Sequence, residues 1–354
     1  MFSFRTTPLR DQMDKALRFG KVAVFCTQNS WDVEAGCYVE DIFRERGNLA
    51  AVFRPKEAEL TPGTSHIDFD PAQLDGVNAV VVEIQDVGSR YFNYTRDVFR
   101  LMSALAEMEE APALYVVDHI NPAGRAVEGT MPVIESDPWV PKVAHRHGLT
   151  LGELCHLYYN EIGAKFALHV ISAMASGSGS YLLPWTIAPA SDIPGLFTCL
   201  MYSGGALWNN TSVTPGIGTS RPYEYIGAPF LSSLDVTSLP CPEGATLRPC
   251  TFTPSAGRWQ GEKCFGFQIL LAPGAEYHSF LHTVLLMRSL LARDSRFAFD
   301  AQFWQKLADP VVAAYLKEEI TYDVVQEHVK GEEQKWIRKA KRFTLYDDAP
   351  YRMK

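Results

Sequence analysis

An α/β fold built on a parallel sheet is expected of this chain, and three observations lead to it. Short apolar runs alternate with amphipathic stretches through the first half. The runs are apolar at successive positions rather than at every second one, as strands are when both faces of their sheet are covered. Polar residues gather directly behind the runs, at the carboxyl ends of the would-be strands, where open parallel sheets bind ligands.

In chain order, KVAVFCT reads as a first strand, DVEAGCYVEDIFRERG as a helix and NLAAVFRP as a second strand. AVVVEI is a third strand, followed by a helix from about Thr95 to Glu110. APALYVVD is a fourth strand, LTLGELCHLYYNEIG a helix and FALHVISAM a fifth strand. Thr150 and Glu153 have the spacing of a capping box at the start of that last helix. The segment from LLPWTIAPASDIPG to RPYEYIGAPF is dense in Gly, Pro, Ser, Thr and Asn and reads as long and irregular, a type of segment that is usually functional. Beyond it KCFGFQILLA reads as a strand, and HSFLHTVLLMRSLLAR and the C-terminal region as helices. The expected organisation is a Rossmann-like subdomain over 1–180 and an α+β subdomain over 181–354 that completes a cleft.

Composition narrows the function. The chain has 354 residues, 47% of them hydrophobic and 21% charged, the balance of an ordinary globular protein. A net charge of −8 without a long basic run lacks the footprint that binds a phosphate backbone, so no nucleic-acid partner is expected. Lys335, Lys339, Lys341 and Arg342 alternate with Trp336, Ile337, Ala340 and Phe343, as on the solvated face of an amphipathic helix. Seven cysteines without a C-x-x-C pair read as free thiols in a reducing compartment. The N-terminal stretch has no apolar core of signal-peptide length, and no window is long enough to span a membrane, so a cytoplasmic protein without a membrane partner is expected, or a periplasmic or secreted one if a leader has been trimmed from the sequence.

A nucleotide needs a glycine-rich turn after the first strand, and the residues there are Thr27-Gln28-Asn29-Ser30-Trp31. The ASGSGSYL stretch at 175–182 lacks a third glycine at the right spacing, so no nucleotide cofactor is expected. His145 and His147 lack a third ligand at useful spacing, so no metal is expected; a proton-handling or ordering role suits His147 better.

The candidate site residues lie behind the strands. Gln85, Asp86, Arg90, Tyr91 and Tyr94 follow the third strand. They read either as a helix cap by Asp86 with an ion pair to Arg90, or as a carboxylate and guanidinium at a sheet rim with tyrosines offered to a polar ligand. Asp118 and Asn121 follow the fourth strand, and Pro122 and Gly124 are turn chemistry. In the 208–230 segment Gly216 and Gly218 permit close backbone approach, and Asn209, Arg221, Tyr223 and Glu224 supply amide, charge and aromatic contacts suited to a carbohydrate.

Taken together, VVVEIQDVGSRYFNY, VVDHINPAGRAVEG, HRHGLTLGEL, LPWTIAPASDIP and NTSVTPGIGTSRPYEYIGAPF resemble, in order, the NamZ-type exo-β-N-acetylmuramidases, long described only as a domain of unknown function. The resemblance runs from about Lys21 to FTLYD at 343–347. It implies a nucleotide-free Rossmann-like subdomain joined to an α+β subdomain. The implied activity is removal of N-acetylmuramic acid from the non-reducing end of peptidoglycan fragments without a cofactor, as in cell-wall recycling. Such hydrolysis uses a carboxylic acid to protonate the leaving oxygen and a second group to handle water or the anomeric carbon.

The family's Pro-Glu-His-Gly loop after its second strand reads Arg54-Pro55-Lys56-Glu57 here, and a one-residue shift places Glu57 where the family has its glutamate. The family pattern E-G-T-N-x-S-E-G-R-G-T-T-R-P has Asn209, Pro215 and Ile217 in place of two glutamates and an arginine. The resemblance therefore implies a divergent glycosidase with Glu57 or Asp86 as proton donor and His147 as proton relay. Gln85, Arg90, Tyr91, Tyr94, Asp118, Asn121, Glu128, Asn209, Arg221 and Glu224 would contact a saccharide or muropeptide. The alternative is a saccharide-binding or regulatory protein that kept the cleft and lost the acid.

Overall fold

The computed structural model describes residues 20–32, 36–56, 66–133, 142–172 and 187–346. The five apolar runs of the first half become β1 (Val22–Cys26), β2 (Leu49–Phe53), β3 (Ala79–Glu83), β4 (Ala113–Asp118) and β5 (Leu168–Ser172). They pair in parallel in the order β2-β1-β3-β4-β5. This order reverses between β1 and β3, and such a switch point leaves a crevice at the carboxyl edge of the sheet.

Side chains on a strand alternate between faces, so each strand feeds two cores. Ala23, Phe25, Val80, Val82, Leu114 and Val116 enter the larger core, with α2 (Asn93–Glu107) and α3 (Leu151–Glu161). Val22, Val24, Cys26, Ala79, Val81 and Val117 enter a smaller core, with Val39, Ile42 and Phe43 of α1 (Val39–Glu45). Burial on both faces explains the unbroken apolar runs. On α2 the buried Val98, Leu101, Met102 and Leu105 recur at helical spacing. Phe99 of α2 stacks on Tyr158 of α3, with ring centroids 4.3 Å apart.

The expected helix over DVEAGCYVEDIFRERG is shorter than its pattern. Trp31–Asp32 and Cys37–Tyr38 pair as a small antiparallel ladder, and α1 begins only at Val39, where Asp41 accepts from the Tyr38 N–H. The capping box on α3 is formed: Thr150 accepts from the Glu153 N–H, and the Glu153 carboxylate accepts from the Thr150 N–H.

The second half carries more regular structure than its composition indicated. The stretch read as irregular contains α4 (Leu196–Gly205), a 3-10 turn at Ala206–Asn210 and β6 (Tyr225–Ala228). An antiparallel sheet follows in the order β6-β8-β7, where β7 is Ala245–Phe252 and β8 is Cys264–Leu271. The remaining helices are α5 (Ser279–Arg293), α6 (Phe303–Leu307), α7 (Pro310–Leu316) and α8 (Tyr322–Ala340). On α8 the buried Val325, Val329, Trp336 and Ala340 form one stripe, while Lys335, Lys341 and Arg342 at its end are exposed.

The larger core is continuous from β1 through α4 and β8 to Trp336 of α8. Polar ties follow the same path. Trp336 Nε1 donates to the His147 carbonyl at 2.8 Å, and the Tyr346 hydroxyl donates to Asp118 at 2.8 Å. Among the described residues no helix is long and apolar enough to cross a membrane.

Candidate active site at the carboxyl edge of the parallel sheet

Glu57 and the 175–182 stretch lie outside the described residues. The other sequence-selected residues sort into several clusters along the carboxyl edge of the sheet and the joint with the second half.

Gln85, Asp86, Asn121 and His147 come together behind β3 and β4. Asp86 is buried, accepting from the Thr95 hydroxyl at 2.6 Å and the Gly88 N–H at 2.7 Å. It does not cap α2, whose N-cap is Phe92, and Arg90 is not its partner. His147 Nε2 lies 3.4 Å from Asp86, and its Nδ1 accepts from the Leu149 N–H at 3.1 Å. An accepting Nδ1 leaves Nε2 as the nitrogen that carries the ring proton, close to Asp86 but outside hydrogen-bond geometry. Burial by itself would raise the Asp86 carboxyl; the His147 ring, Thr95 and Gly88 outweigh it and hold the group below its ordinary value. Asn121 bridges the loops, donating to the Leu149 carbonyl at 2.9 Å and accepting from the Ala123 N–H at 2.9 Å. Gly88 has φ +83°, and a Cβ there would sit 2.5 Å from Asn121 Oδ1, so only glycine closes this turn.

Asp118 ends β4 but points away from this group. Its carboxylate takes the Gly152 N–H at 2.8 Å and the Thr150 hydroxyl at 2.7 Å at the start of α3, as well as the Tyr346 hydroxyl. Complete burial outweighs those three donors and, with the nearby Glu153 charge, lifts its pKa to about 6. Glu128 is paired with Arg146 and accepts from Ser279 at 2.7 Å and the Phe280 N–H at 3.2 Å at the start of α5.

Arg90 is buried, and its guanidinium donates to the carbonyls of Thr130, Lys306 and Leu307 at 2.7, 3.1 and 3.0 Å. Burial lowers its pKa. The half-buried Tyr91 ring stacks on His145, and its hydroxyl lies 3.2 Å from the Lys306 carbonyl. Burial, with Arg90 beside it, keeps His145 well below its ordinary value and therefore neutral. Lys306 donates to the Ala206 carbonyl at 2.8 Å, and burial brings its pKa down to about 8. Tyr94 is buried edge-on against Phe92. From Tyr91 a chain of contacts crosses to the second half. Its carbonyl accepts from Tyr202 at 3.2 Å, Tyr202 packs on Tyr223, and the Tyr223 hydroxyl donates to Asp192 at 2.9 Å and accepts from Asn209 at 3.3 Å.

Arg221 and Glu224 form a separate group. Arg221 is exposed and pairs with Glu224 at 3.6 Å, and Glu224 accepts from Gln268 of β8. Burial raises the Glu224 carboxyl against the pull of Arg221. Gly218 does permit a close approach, but to the chain itself: a Cβ there would meet the Ala256 nitrogen at 2.3 Å.

The crevice at the switch point carries groups the sequence reading passed over. Strand register sets Cys26 beside Glu83 and Glu83 beside Val117, on the α1 face. The Glu83 carboxylate is wholly shielded and meets His119 Nε2 at 2.9 Å, while the His119 side chain is 15% exposed. Buried Glu40 of α1 pairs with Arg54, which follows β2, and lies 3.5 Å from the Ser30 hydroxyl. Asn29 and Gln28, after β1, donate to the carbonyls of Ile187 and Ala188. Glu83 was visible as the one charged residue of AVVVE, but its partner sat inside DHINPAG, which turn chemistry already explained. Among the described residues no group of three or more His, Cys, Asp or Glu side chains is placed to hold a metal.

A 2-1-3-4-5 parallel sheet with carboxylate–imidazole pairs at its carboxyl edge, joined to an antiparallel sheet through a shared core, defines an α/β protein with polar groups at the edge where open parallel sheets bind ligands. The chain belongs to the NamZ exo-β-N-acetylmuramidase family: residues 64–184 match its N-terminal domain and residues 200–346 its C-terminal domain. It is similar to the peptidoglycan β-N-acetylmuramidase NamZ of Bacillus subtilis (strain 168), 29% identical over 252 residues. That match covers 67% of this chain and 60% of the relative, so it spans about three-fifths of the relative's length. Two crystal structures of DUF1343 family proteins from Bacteroides fragilis NCTC 9343 share the fold. One has a TM-score of 0.77 at 19% identity, covering 96% of this chain and 97% of its own. The other has a TM-score of 0.74 at 20% identity, covering 96% and 98%.

Proposed function

We propose that the protein is a glycoside hydrolase of the exo-β-N-acetylmuramidase type, acting on amino-sugar glycosides such as peptidoglycan fragments. The observation that carries this reading is the convergence at the β1/β3 switch point of Glu83–His119 and Glu40–Arg54, in a chain of this family. Glu57 follows Arg54 by three residues and is the proposed proton donor. Asp86, held below its ordinary pKa and shut behind His147 and Thr95, suits the orientation of His147 better than donation of a proton. A small saccharide is the proposed partner and the cytoplasm the proposed compartment.

A second reading has its own observation. Pro215 and Ile217, which stand where the family pattern carries charge, are buried. A loop that has exchanged charge for apolar packing suits a changed substrate, or a protein that binds sugar without cleaving it. Incubation with a chromogenic N-acetylmuramide and with MurNAc-GlcNAc tests both. Release that falls at least 10²-fold in Glu57→Gln supports the hydrolase. Calorimetric binding of the disaccharide without release supports the second reading.

A further inference from the structure

We propose that His119, oriented by Glu83, is the group that takes the proton from the attacking water in this site. The inference rests on the hydrolase reading and deepens it by assigning a second proton-handling residue.

The placement follows from strand geometry. β3 and β4 are paired in register, Glu83 beside Val117, and alternation puts residues 83 and 119 on the same face of the sheet. Asp118 is thereby turned to the opposite face, where it meets Thr150 and Gly152 at the start of α3. Of the acidic and imidazole groups at these two strand tips, Glu83 and His119 are therefore the pair on the α1 side of the switch point.

The pair is built as an orienting carboxylate and a working imidazole. Glu83 has no exposed side-chain surface, whereas the ring it holds at 2.9 Å reaches solvent. With the carboxylate ionised, its oxygen accepts from Nε2–H, which leaves the Nδ1 lone pair as the basic position. Among the described residues Nδ1 of His119 makes no hydrogen bond. His147 is the opposite case, since its Nδ1 is occupied by the Leu149 N–H and its Nε2 faces Asp86 inside the core. Among the described residues, Cys26 on β1 lies beside Glu83, and Glu40 on α1 and Arg54 after β2, which pair with each other, lie beside Cys26.

In the step assigned, a water oxygen forms its bond to the anomeric carbon as the glycosidic C–O bond breaks. The water proton passes to His119 Nδ1, and the leaving oxygen takes its proton from a general acid. The imidazolium formed is stabilised by Glu83 and returns its proton to solvent, from which the spent acid is re-protonated, so the net change is hydrolysis by one water.

The test measures kcat and KM against pH on the chromogenic N-acetylmuramide for wild type, His119→Gln and Glu83→Gln, each shown folded by circular dichroism. His119→Gln is expected to lower kcat at least 10²-fold with KM changed less than threefold, and to abolish the acid limb of the profile. Glu83→Gln is expected to lower kcat about tenfold and to move that limb to lower pH, since the imidazolium loses its counter-charge. Retention of kcat within threefold by His119→Gln, or an acid limb that stays in place, overturns the proposal while leaving the hydrolase reading intact. A wild type inactive on both substrates sinks that reading; the dyad is then decided by ¹⁵N NMR of the His119 ring with N-acetylmuramic acid. A shift confined to Nδ1, with the Nε2–H tautomer retained, supports a working imidazole at the sugar, and an unchanged ring overturns it.

Discussion

Asp86 and Asp118 stand at neighbouring strand ends, both buried, yet their carboxyls are displaced in opposite directions. The difference lies in what surrounds each one. Asp86 faces an imidazole and two donors, which outweigh burial, whereas Asp118 has three neutral donors and a second carboxylate, Glu153, nearby. Folded Asp118 titrates at about 6 and an ordinary aspartate at 3.8, so between those values the folded protein holds a proton that the unfolded chain has released. Its contribution to stability is therefore fully present below about pH 4 and lost as pH rises through 6. Asp118→Asn removes this dependence. Relative to wild type, the variant is expected to gain of order 2–3 kcal/mol between pH 4 and 7, read from urea midpoints at each pH. A stability difference that stays flat over that range refutes the assignment. Neither displacement was legible in the sequence, because both depend on what the fold packs around each carboxyl: His147 beside Asp86, and burial with Glu153 nearby for Asp118.

The start of α3 shows how much one helix end does. The Thr150 side chain accepts from the Glu153 N–H and donates to Asp118, and Glu153 in turn pairs with Arg125 and accepts from the Leu345 N–H. Thr150→Ala removes the cap and one donor to a buried carboxylate. We expect a loss of about 2 kcal/mol, with Thr150→Ser retaining most of it, measured by chemical denaturation; equal losses in the two variants would place the effect in packing of the methyl group. This capping box was readable because its signal is local, two side chains three residues apart. The five parallel strands were readable for a similar reason, since burial on both faces leaves an unbroken apolar run. α4 and β7 were not. Leu196–Gly205 ends in two glycines, and Gly204 is required by a neighbour rather than by the helix: a Cβ there would lie 2.3 Å from the Ser279 carbonyl. β7 includes Pro249 and is half-exposed along its length, as an edge strand that draws its pairing from β8. The Glu83–His119 pair was hidden in the same way, each half explained by its own segment and joined only by strand register.

At the scale of the molecule, polar contacts between the two halves make the carboxyl edge of the parallel sheet inseparable from the second half. Arg90 binds the carbonyls at the end of α6, Glu128 binds the start of α5, Trp336 of α8 holds the His147 carbonyl and Tyr346 holds Asp118. All four involve a buried charge or a buried main-chain group, so loss of either half would strand unpaired polar groups in the other. With the larger apolar core running through both halves, unfolding is expected to be one cooperative event. Arg90→Met tests this directly. It removes the donor from the Thr130, Lys306 and Leu307 carbonyls while keeping much of the side-chain volume, and should cost about 3–5 kcal/mol. Because Arg90 joins the two halves, the loss should displace far-ultraviolet dichroism and the fluorescence of Trp208 and Trp336 by the same amount, with coincident transitions. Separation of the two signals, with only one displaced, would mean that the halves unfold independently and that the contacts between them do not hold the edge in place.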